Sequence, residues 1–279
     1  MLPATRMVSA AIVPFLLVAF VVLYGAPKDT GRWFAWQITP SMTSMVLGSV
    51  YLGGAYFFTR AVRASHWHTV KAGFVPVTLF ASLMGVATIV HWDRFNHGHV
   101  AFWLWAGLYF TTPLLVFGVW LANRGRDRRA AAEDLLVSPG TRLAAGVIGV
   151  AALGFGLLLF LQPGWAVDVW PWSLTPLTAR VFGATFCLGA AGLGIFVDPR
   201  WSTARLMVQV QGLMLLLVLG AVFRARAEFD VGNPLRWLFA GGFLGLLAGS
   251  AVVWVRMEAR RRGLDRANDE GLHREPRNL

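Results

Sequence analysis

Long runs of apolar residues alternate with short polar connections along the whole chain. Eight runs, each near the roughly 20 residues that cross the ~30 Å hydrocarbon core of a bilayer as a helix, lie at approximately 7–25, 41–60, 73–91, 100–122, 143–161, 176–197, 205–223 and 235–255. A membrane barrel would instead need segments of about 10 residues with alternating polarity. Because backbone groups that face lipid must be paired within their own segment, each run is predicted to be a helix. The sequence therefore predicts an all-α, polytopic integral membrane protein with eight transmembrane helices.

The two halves of the chain resemble each other residue by residue. A shift of 136 residues aligns tryptophan, proline and glycine positions of the first half with identical residues of the second, and from Trp67 onward a shift of 134 does the same. The identical pairs include Trp36 with Trp172, Thr39-Pro40 with Thr175-Pro176, Phe95 with Phe229, and Trp103 with Trp237. Such matches indicate an internal repeat. Since each copy holds an even number of predicted spans, the two four-helix repeats are predicted to be parallel, related by an axis along the membrane normal.

The repeat divides the chain into four parts. The first four-helix repeat is predicted at 1–123 and the second at 142–257, with a basic cytoplasmic linker at 124–141 between them. The stretch 258–279 is charged and poor in apolar residues. That composition predicts a disordered tail.

Composition and charge agree with a membrane protein. Apolar residues make up 56% of the chain and charged residues only 14%, against about 25% charged residues in an average soluble domain. If the termini and the even-numbered connections share one side, that side holds 18 of the 25 basic residues and the other holds six. The positive-inside rule then places both termini in the cytoplasm. Because the basic residues are spread over the membrane-flanking connections, the net charge of +11 indicates topology and not nucleic-acid binding.

Residue usage also bears on the type of membrane and on its interfaces. Lysine occurs only at Lys28 and Lys71, and this preference for arginine is common in GC-rich genomes, so we expect a multi-pass protein of a bacterial inner (plasma) membrane. Tryptophan is enriched at the two surfaces of membranes. The loop tryptophans are accordingly predicted to form interfacial belts, with Trp33, Trp36, Trp92, Trp165, Trp170 and Trp172 outside and Trp67 and Trp201 inside.

Ligand-type side chains are densest between the third and fourth predicted spans. His91, Asp93, His97 and His99 lie within nine residues, and imidazole with carboxylate suits zinc or copper. The spacing matches no specific metal motif, and the second repeat has Val231 and Asn233 at the positions of His97 and His99. A polar loop with ordinary hydrogen-bonded histidines is the favoured interpretation. Metal binding, and proton transfer by histidine near its ordinary pKa of about 6.5, are the alternatives.

Arg180 is the single basic residue in the interior of a predicted span, away from its first and last two residues. Because its charge would be costly inside the membrane, the Arg180 side chain is expected to extend to the lipid headgroups or to pair with Asp168, Glu228 or Asp230. The functional alternative is an anionic-ligand site in a crevice between the repeats, formed by Arg180, Glu228, Asp230 and Gln209. Gln209 and Gln211 cannot share one face of a helix, so at least one of them is expected to bond a neighbouring helix.

The sequence favours a protein without catalytic activity. No catalytic or nucleotide-binding motif is present, no cofactor is indicated, and no carboxylate lies within the predicted spans to couple transport to ions. The favoured function is a non-catalytic subunit or scaffold of a membrane complex. The alternatives are a transporter or binder of a small anionic or lipid-like ligand between the repeats, and a metal-dependent membrane enzyme. Gly241, Gly245 and Gly249 form a ridge of small residues, which is predicted to pack within the chain or to contact a partner protein or a second copy.

Overall fold

The computed structural model describes residues 1–126 and 134–274, and this part of the chain is all-helical without strands. The helices are α1 (Pro3–Phe20, extended by a π-helical turn at Val21–Gly25), α2 (Thr30–Trp33), α3 (Ser41–Arg63), α4 (Phe74–Val90), α5 (Val100–Asn123), α6 (Pro139–Leu161), α7 (Pro163–Val169), α8 (Pro176–Cys187), α9 (Gly194–Val197), α10 (Trp201–Arg224) and α11 (Leu235–Arg274). A 3₁₀ segment, Leu188–Leu193, joins α8 to α9.

Seven of the described helices are long and apolar enough to cross a membrane, as in a multi-pass membrane protein. They are Pro3–Gly25, Lys71–Val90, Val100–Asn123, Pro139–Leu161, Pro176–Val197, Trp201–Arg224 and Leu235–Leu264. The predicted span at 41–60 coincides with α3, which has 23 residues but is not among the seven. Serine, threonine, tyrosine and glycine make α3 less apolar than the other long helices.

Several polar side chains of α3 form hydrogen bonds inside the protein. The Ser44 hydroxyl donates to the Leu23 carbonyl at 2.8 Å, and the Tyr51 and Tyr109 hydroxyls are hydrogen-bonded at 2.7 Å. Most of the residues of α3 are buried. A helix surrounded by protein does not need the apolar surface that a lipid-facing helix needs. The central position of α3 therefore explains its composition.

Helices pack first with a neighbour in sequence and then across the middle of the chain. In the first half α1 packs on α3 and α4 on α5; in the second half α6 packs on α8 and α10 on α11. Contacts between the halves join α3 to α10 and α4 to α8. The second and third long helices of each half thus form the centre of the molecule.

Glycines allow backbone contact where α6 crosses α8. A Cβ added at Gly156 would lie 2.6 Å from the carbonyl oxygen of Gly183, and a Cβ added at Gly183 would lie 2.6 Å from the carbonyl oxygen of Gly156. In the 3₁₀ segment that follows α8, a Cβ added at Gly192 would lie 2.7 Å from the carbonyl oxygen of Ala145 on α6. Only a residue without a side chain fits at these positions.

Two aromatic clusters lie at the face where α4 ends and α5 begins, which we term the outer face. Trp36 packs edge-on against Phe95 with ring centroids 5.1 Å apart, and Trp172 packs edge-on against Phe229 at 5.2 Å. Backbone hydrogen bonds of 2.9 Å, from Asn96 to the Ala35 carbonyl and from Asp230 to the Pro171 carbonyl, accompany these contacts. In each half, the loop after the third long helix is thereby attached to the loop before the second.

The predicted tryptophan belts are wrong for five of eight residues. Trp36, Trp170, Trp172, Trp67 and Trp201 are buried in the protein core, whereas Trp33, Trp92 and Trp165 are exposed. The buried rings lie in clusters of packed aromatic and aliphatic residues, where they stabilise contacts between loops and helices.

The linker and the tail are only partly described. The middle of the predicted linker, 127–133, lies outside the described residues. Its end pairs with the loop before α10, because the Val137 N–H donates to the Pro199 carbonyl at 2.9 Å and the Trp201 N–H donates to the Leu135 carbonyl at 2.8 Å. The sequence predicts disorder from residue 258, whereas α11 continues through Arg274.

Candidate functional site

Arg180 lies on α8 and contacts His91, which follows the last residue of α4. The guanidinium Nη1 is 2.7 Å from His91 Nε2, so this ring nitrogen accepts a hydrogen bond from the arginine. Burial lowers the pKa of His91, and the Arg180 charge lowers it further, against a smaller opposing effect of Asp93. A neutral imidazole is the form that accepts from Arg180. The structure thus pairs Arg180 with a histidine and not with the acidic residues expected from the sequence.

The four residues of the predicted metal site are directed to different partners. Asp93 forms an exposed ion pair with Arg94 at 3.2 Å, and His99 Nδ1 accepts from the Ala101 N–H at 3.2 Å, capping α5. His97 packs between the rings of Trp92 and Phe102. Among the described residues, no group of three or more His, Cys, Asp or Glu side chains is arranged to hold a metal ion.

The other residues predicted to bind a ligand with Arg180 form hydrogen bonds to different partners. Glu228 caps α3, accepting hydrogen bonds from the backbone N–H groups of Ser41 and Met42 at 3.2 and 2.7 Å. Asp230 accepts from the N–H of Gly232 in its own turn. Gln209 accepts from the Tyr56 hydroxyl at 3.1 Å. The expectation that one of the two glutamines bonds a neighbouring helix agrees with this last contact.

An apolar cavity of about 500 Å³, which we term the interior cavity, extends between the two halves. Its lining comes from α1, α3, α4 and α5 of the first half and from α6, α8, α10 and α11 of the second. Cavities of about 300–1,000 Å³ are typical of small-molecule sites. The Tyr51–Tyr109 pair and Gln211 are among the few polar side chains in this lining. Gln211 has no hydrogen-bond partner in the described part of the chain.

The glycine ridge of α11 borders this cavity. Gly245 and Gly249 line it, and a Cβ added at Gly241, Gly245 or Gly249 would have no described neighbour within 4 Å. Within the described structure, α10 is the only helix that packs extensively on α11. In the apolar stretch of α11 that is long enough to cross a membrane, no residue is buried, whereas 33% of the residues in the equivalent stretch of α5 are buried. The ridge therefore faces open space and does not pack within the chain.

A polar contact closes the first half at the position where the second half has none. The Asn123 amide, at the end of α5, donates to the Thr5 hydroxyl of α1 at 2.8 Å and accepts from the Leu2 N–H at 3.1 Å. The shifts of 134 and 136 residues place Met257 and Thr141 at the corresponding positions of α11 and α6. Thr141 lines the interior cavity. The amide contact of the first half is thus absent from the second, where Met257 is buried in an apolar cluster.

A buried ionic cluster fixes the loop before α10. Asp198 accepts from Arg200 Nε at 2.8 Å and from the Thr203 hydroxyl at 3.0 Å, and it lies 2.8 Å from the Lys71 ammonium of the first half. Burial alone would raise the pKa of Asp198, but the hydrogen bonds from Arg200 and Lys71 outweigh it and hold the pKa below its ordinary value. The cluster connects the halves at the face opposite the outer face. This cluster could not be predicted from the sequence, because Lys71 and Asp198 are far apart in the chain.

No family model matches this chain, and no curated protein or solved structure matches it either.

Proposed function

We propose that this protein binds a lipid-like ligand in the interior cavity, as a carrier or receptor for an apolar molecule taken from the bilayer. The observation that carries this proposal is the lining of the cavity, which is mostly apolar and comes from helices of both halves. Filling an apolar cavity of this size with hydrocarbon is energetically favourable where the hydrocarbon replaces water. Access from the membrane is proposed beside α11, where Gly245 and Gly249 leave the wall without side chains.

Polar side chains of the lining, among them Tyr51, Tyr109 and Gln211, add hydrogen bonding to hydrocarbon recognition. Gln211 lies near the middle of α10, and its amide is without a partner among the described residues. Unpaired amides are costly at mid-membrane depth. A ligand with one hydrogen-bonding group, such as an ester, a hydroxyl or a quinone carbonyl on an apolar chain, would satisfy this side chain.

The proposal includes eight spans in two parallel repeats, with α3 as the second span and both termini in the cytoplasm. The Trp36–Phe95 and Trp172–Phe229 ring pairs support it, because the two pairs are related by the 136- and 134-residue shifts and have nearly equal separations of 5.1 and 5.2 Å. The order of helix packing is also the same in both halves. The excess of basic residues at the face where α1 begins supports a cytoplasmic location for that face, in the inner membrane of a bacterium.

Filling the cavity tests the proposal. The Gly249→Leu substitution adds a side chain at the cavity wall, whereas Gly242→Leu adds the same side chain to α11 at a glycine that does not line the cavity. Native mass spectrometry of protein released from mild detergent should detect a bound lipid in the wild type and in Gly242→Leu. The Gly249→Leu protein should lose it. Equal lipid retention in all three proteins would contradict the proposal.

A second candidate is a scaffold that packs against another membrane protein through the α11 ridge. The observation in its favour is the exposure of Trp237, Leu238 and Leu244 on the same helix. Gly241 separates the two candidates, because it belongs to the ridge but does not line the cavity. Loss of a co-purifying partner or of a dimer in Gly241→Leu, with lipid retention unchanged, would favour the scaffold.

A further inference from the structure

A second cavity, of about 700 Å³, opens at the face where α3 ends and α10 begins. We term it the basic cavity. It is formed by the end of α3, the loop after it, the end of the linker and parts of α10 and α11. Its polar lining includes Arg60, Arg63, His66, Ser202, Arg205 and Arg261. From the sequence these arginines indicate only membrane topology, because they come from distant parts of the chain.

The described carboxylates balance only part of the positive charge of the basic cavity. Glu258 forms ion pairs with Arg205 at 2.8 Å and with Arg261 at 3.3 Å. The Asp134 carboxylate, which lines the cavity, lies 3.7 Å from the guanidinium of Arg200, which does not line it. Arg60 and Arg63 have neither an ion pair nor a hydrogen bond to any described residue. Two guanidinium groups therefore remain available to an anion.

The geometry of the arginines suits a compact polyanion. Arg60 and Arg63 are three residues apart in the last turn of α3, so they lie on the same face of the helix. Arg205 is held in place by Glu258 and by the Trp254 ring, whose centroid is 5.2 Å from its guanidinium carbon. The Ser202 hydroxyl is buried without a hydrogen-bond partner among the described residues. Fixed and free cationic donors with a spare hydroxyl are the groups that recognise phosphate oxygens.

We propose that the basic cavity binds a phosphate-bearing anion, at a site separate from the interior cavity. The phosphate can belong to a lipid headgroup of the adjoining leaflet or to a soluble phosphorylated molecule, and both would make the same contacts. The helix C-terminus contributes to holding the arginines, since cations are favoured there. The interaction with the dipole of α3 acts only within the last turn. It supplies no hydrogen-bond acceptor to the guanidinium groups of Arg60 and Arg63. A bound phosphate satisfies them.

The soluble source is tested by calorimetric titration of pyrophosphate into the full-length protein in zwitterionic nanodiscs. The Arg60→Gln/Arg63→Gln protein should bind about tenfold more weakly or worse, because two charge-assisted contacts are lost. Arg124→Gln/Arg126→Gln is the matched control, since both of these arginines are exposed at the same face and neither lines the cavity. Its affinity should remain within about twofold of the wild type. Melting temperatures of both variants should stay within a few degrees of the wild type, because the substituted side chains have no hydrogen bond or ion pair to a described residue and lose only the favourable interaction of a cation with a helix C-terminus.

The lipid source is tested by native mass spectrometry of the same three proteins after incubation with phosphatidylglycerol and phosphatidylcholine. Selective retention of phosphatidylglycerol that is lost in Arg60→Gln/Arg63→Gln, without pyrophosphate binding, assigns the phosphate to a headgroup. Pyrophosphate binding with the same dependence assigns it to a soluble ligand. Absence of binding in both arms, or an equal loss in the Arg124→Gln/Arg126→Gln control, would overturn the proposal.

Discussion

The crossing of α6 and α8 gives the sharpest prediction for stability, at Gly156. A Cβ at this position would lie 2.6 Å from the Gly183 carbonyl oxygen and 2.9 Å from both the backbone nitrogen and the Sγ atom of Cys187. Two of these three atoms belong to the backbone, so no rotation of a side chain relieves the contacts. The helices must move apart when Gly156 is replaced by alanine. Overpacking of this kind costs about 1–3 kcal/mol.

Gly154, two residues earlier on α6, provides the control. A Cβ added there has no described neighbour within 4 Å, and alanine is favoured over glycine in a helix by about 1 kcal/mol. Gly154→Ala should therefore keep or slightly increase the stability of the wild type. Both substitutions add the same methyl group to the same helix. Any difference between them reports the crossing with α8.

Thermal unfolding in a mild detergent, followed by size-exclusion chromatography of heated samples, measures the effect. At roughly 2–4 °C per kcal/mol for chains of about 150–250 residues, Gly156→Ala should lower the melting temperature by about 2–12 °C. Gly154→Ala should not lower it. Equal melting temperatures for the two variants would refute the backbone contact between α6 and α8.

Three further predictions concern polar contacts. Asn123→Met introduces the residue found at the corresponding position of the second half. It should destabilise the protein by about 1–3 kcal/mol, because it leaves the buried Thr5 hydroxyl unpaired. Thermal unfolding measures this loss. Burial and Arg180 lower the pKa of His91 in the folded protein, so the unfolded chain binds a proton more readily. The stability of the fold should therefore fall as the pH decreases through about 6.5. Melting curves from pH 7.5 to 5.5 should show a smaller decrease in melting temperature for His91→Gln than for the wild type. Asp198→Asn should cost up to about 3–5 kcal/mol because it removes the carboxylate charge that Lys71 and Arg200 share, and a loss below about 1 kcal/mol in denaturant titrations would contradict a stabilising role of this cluster.

The apolar runs of the sequence predicted helices correctly, because membrane-length helices follow from local composition. The long helix α6 spans Pro139–Leu161, close to the predicted 143–161. The structure of α3 was harder to anticipate, since its polar residues are compensated by distant partners such as Tyr109. A hydropathy scale includes the free-energy cost of placing such polar residues in a membrane, but it does not include the hydrogen bonds that offset this cost.

The candidate sites could not be located from the sequence, because they depend on which helices meet. Arg180 and His91 are 89 positions apart, and the sequence offered nearby carboxylates as equally reasonable partners. Trp172 was predicted at the membrane surface, since a tryptophan beside a span is ambiguous between interface and core. Its ring instead donates a hydrogen bond to the Thr43 hydroxyl of the other half at 2.9 Å. Long-range pairings of this kind leave no periodic signal in one sequence.

The most direct test of a lipid-binding interior cavity is photo-crosslinking with a fatty-acyl probe that carries a diazirine within its chain. Peptide mapping after irradiation of the full-length protein in nanodiscs should place labels on cavity-lining residues such as Gln211, Met214 and Ser250. An excess of unlabelled lipid should compete these labels away, while labels on lipid-facing residues such as Leu114 should persist. Labelling confined to lipid-facing positions, with none on the cavity lining, would contradict the account.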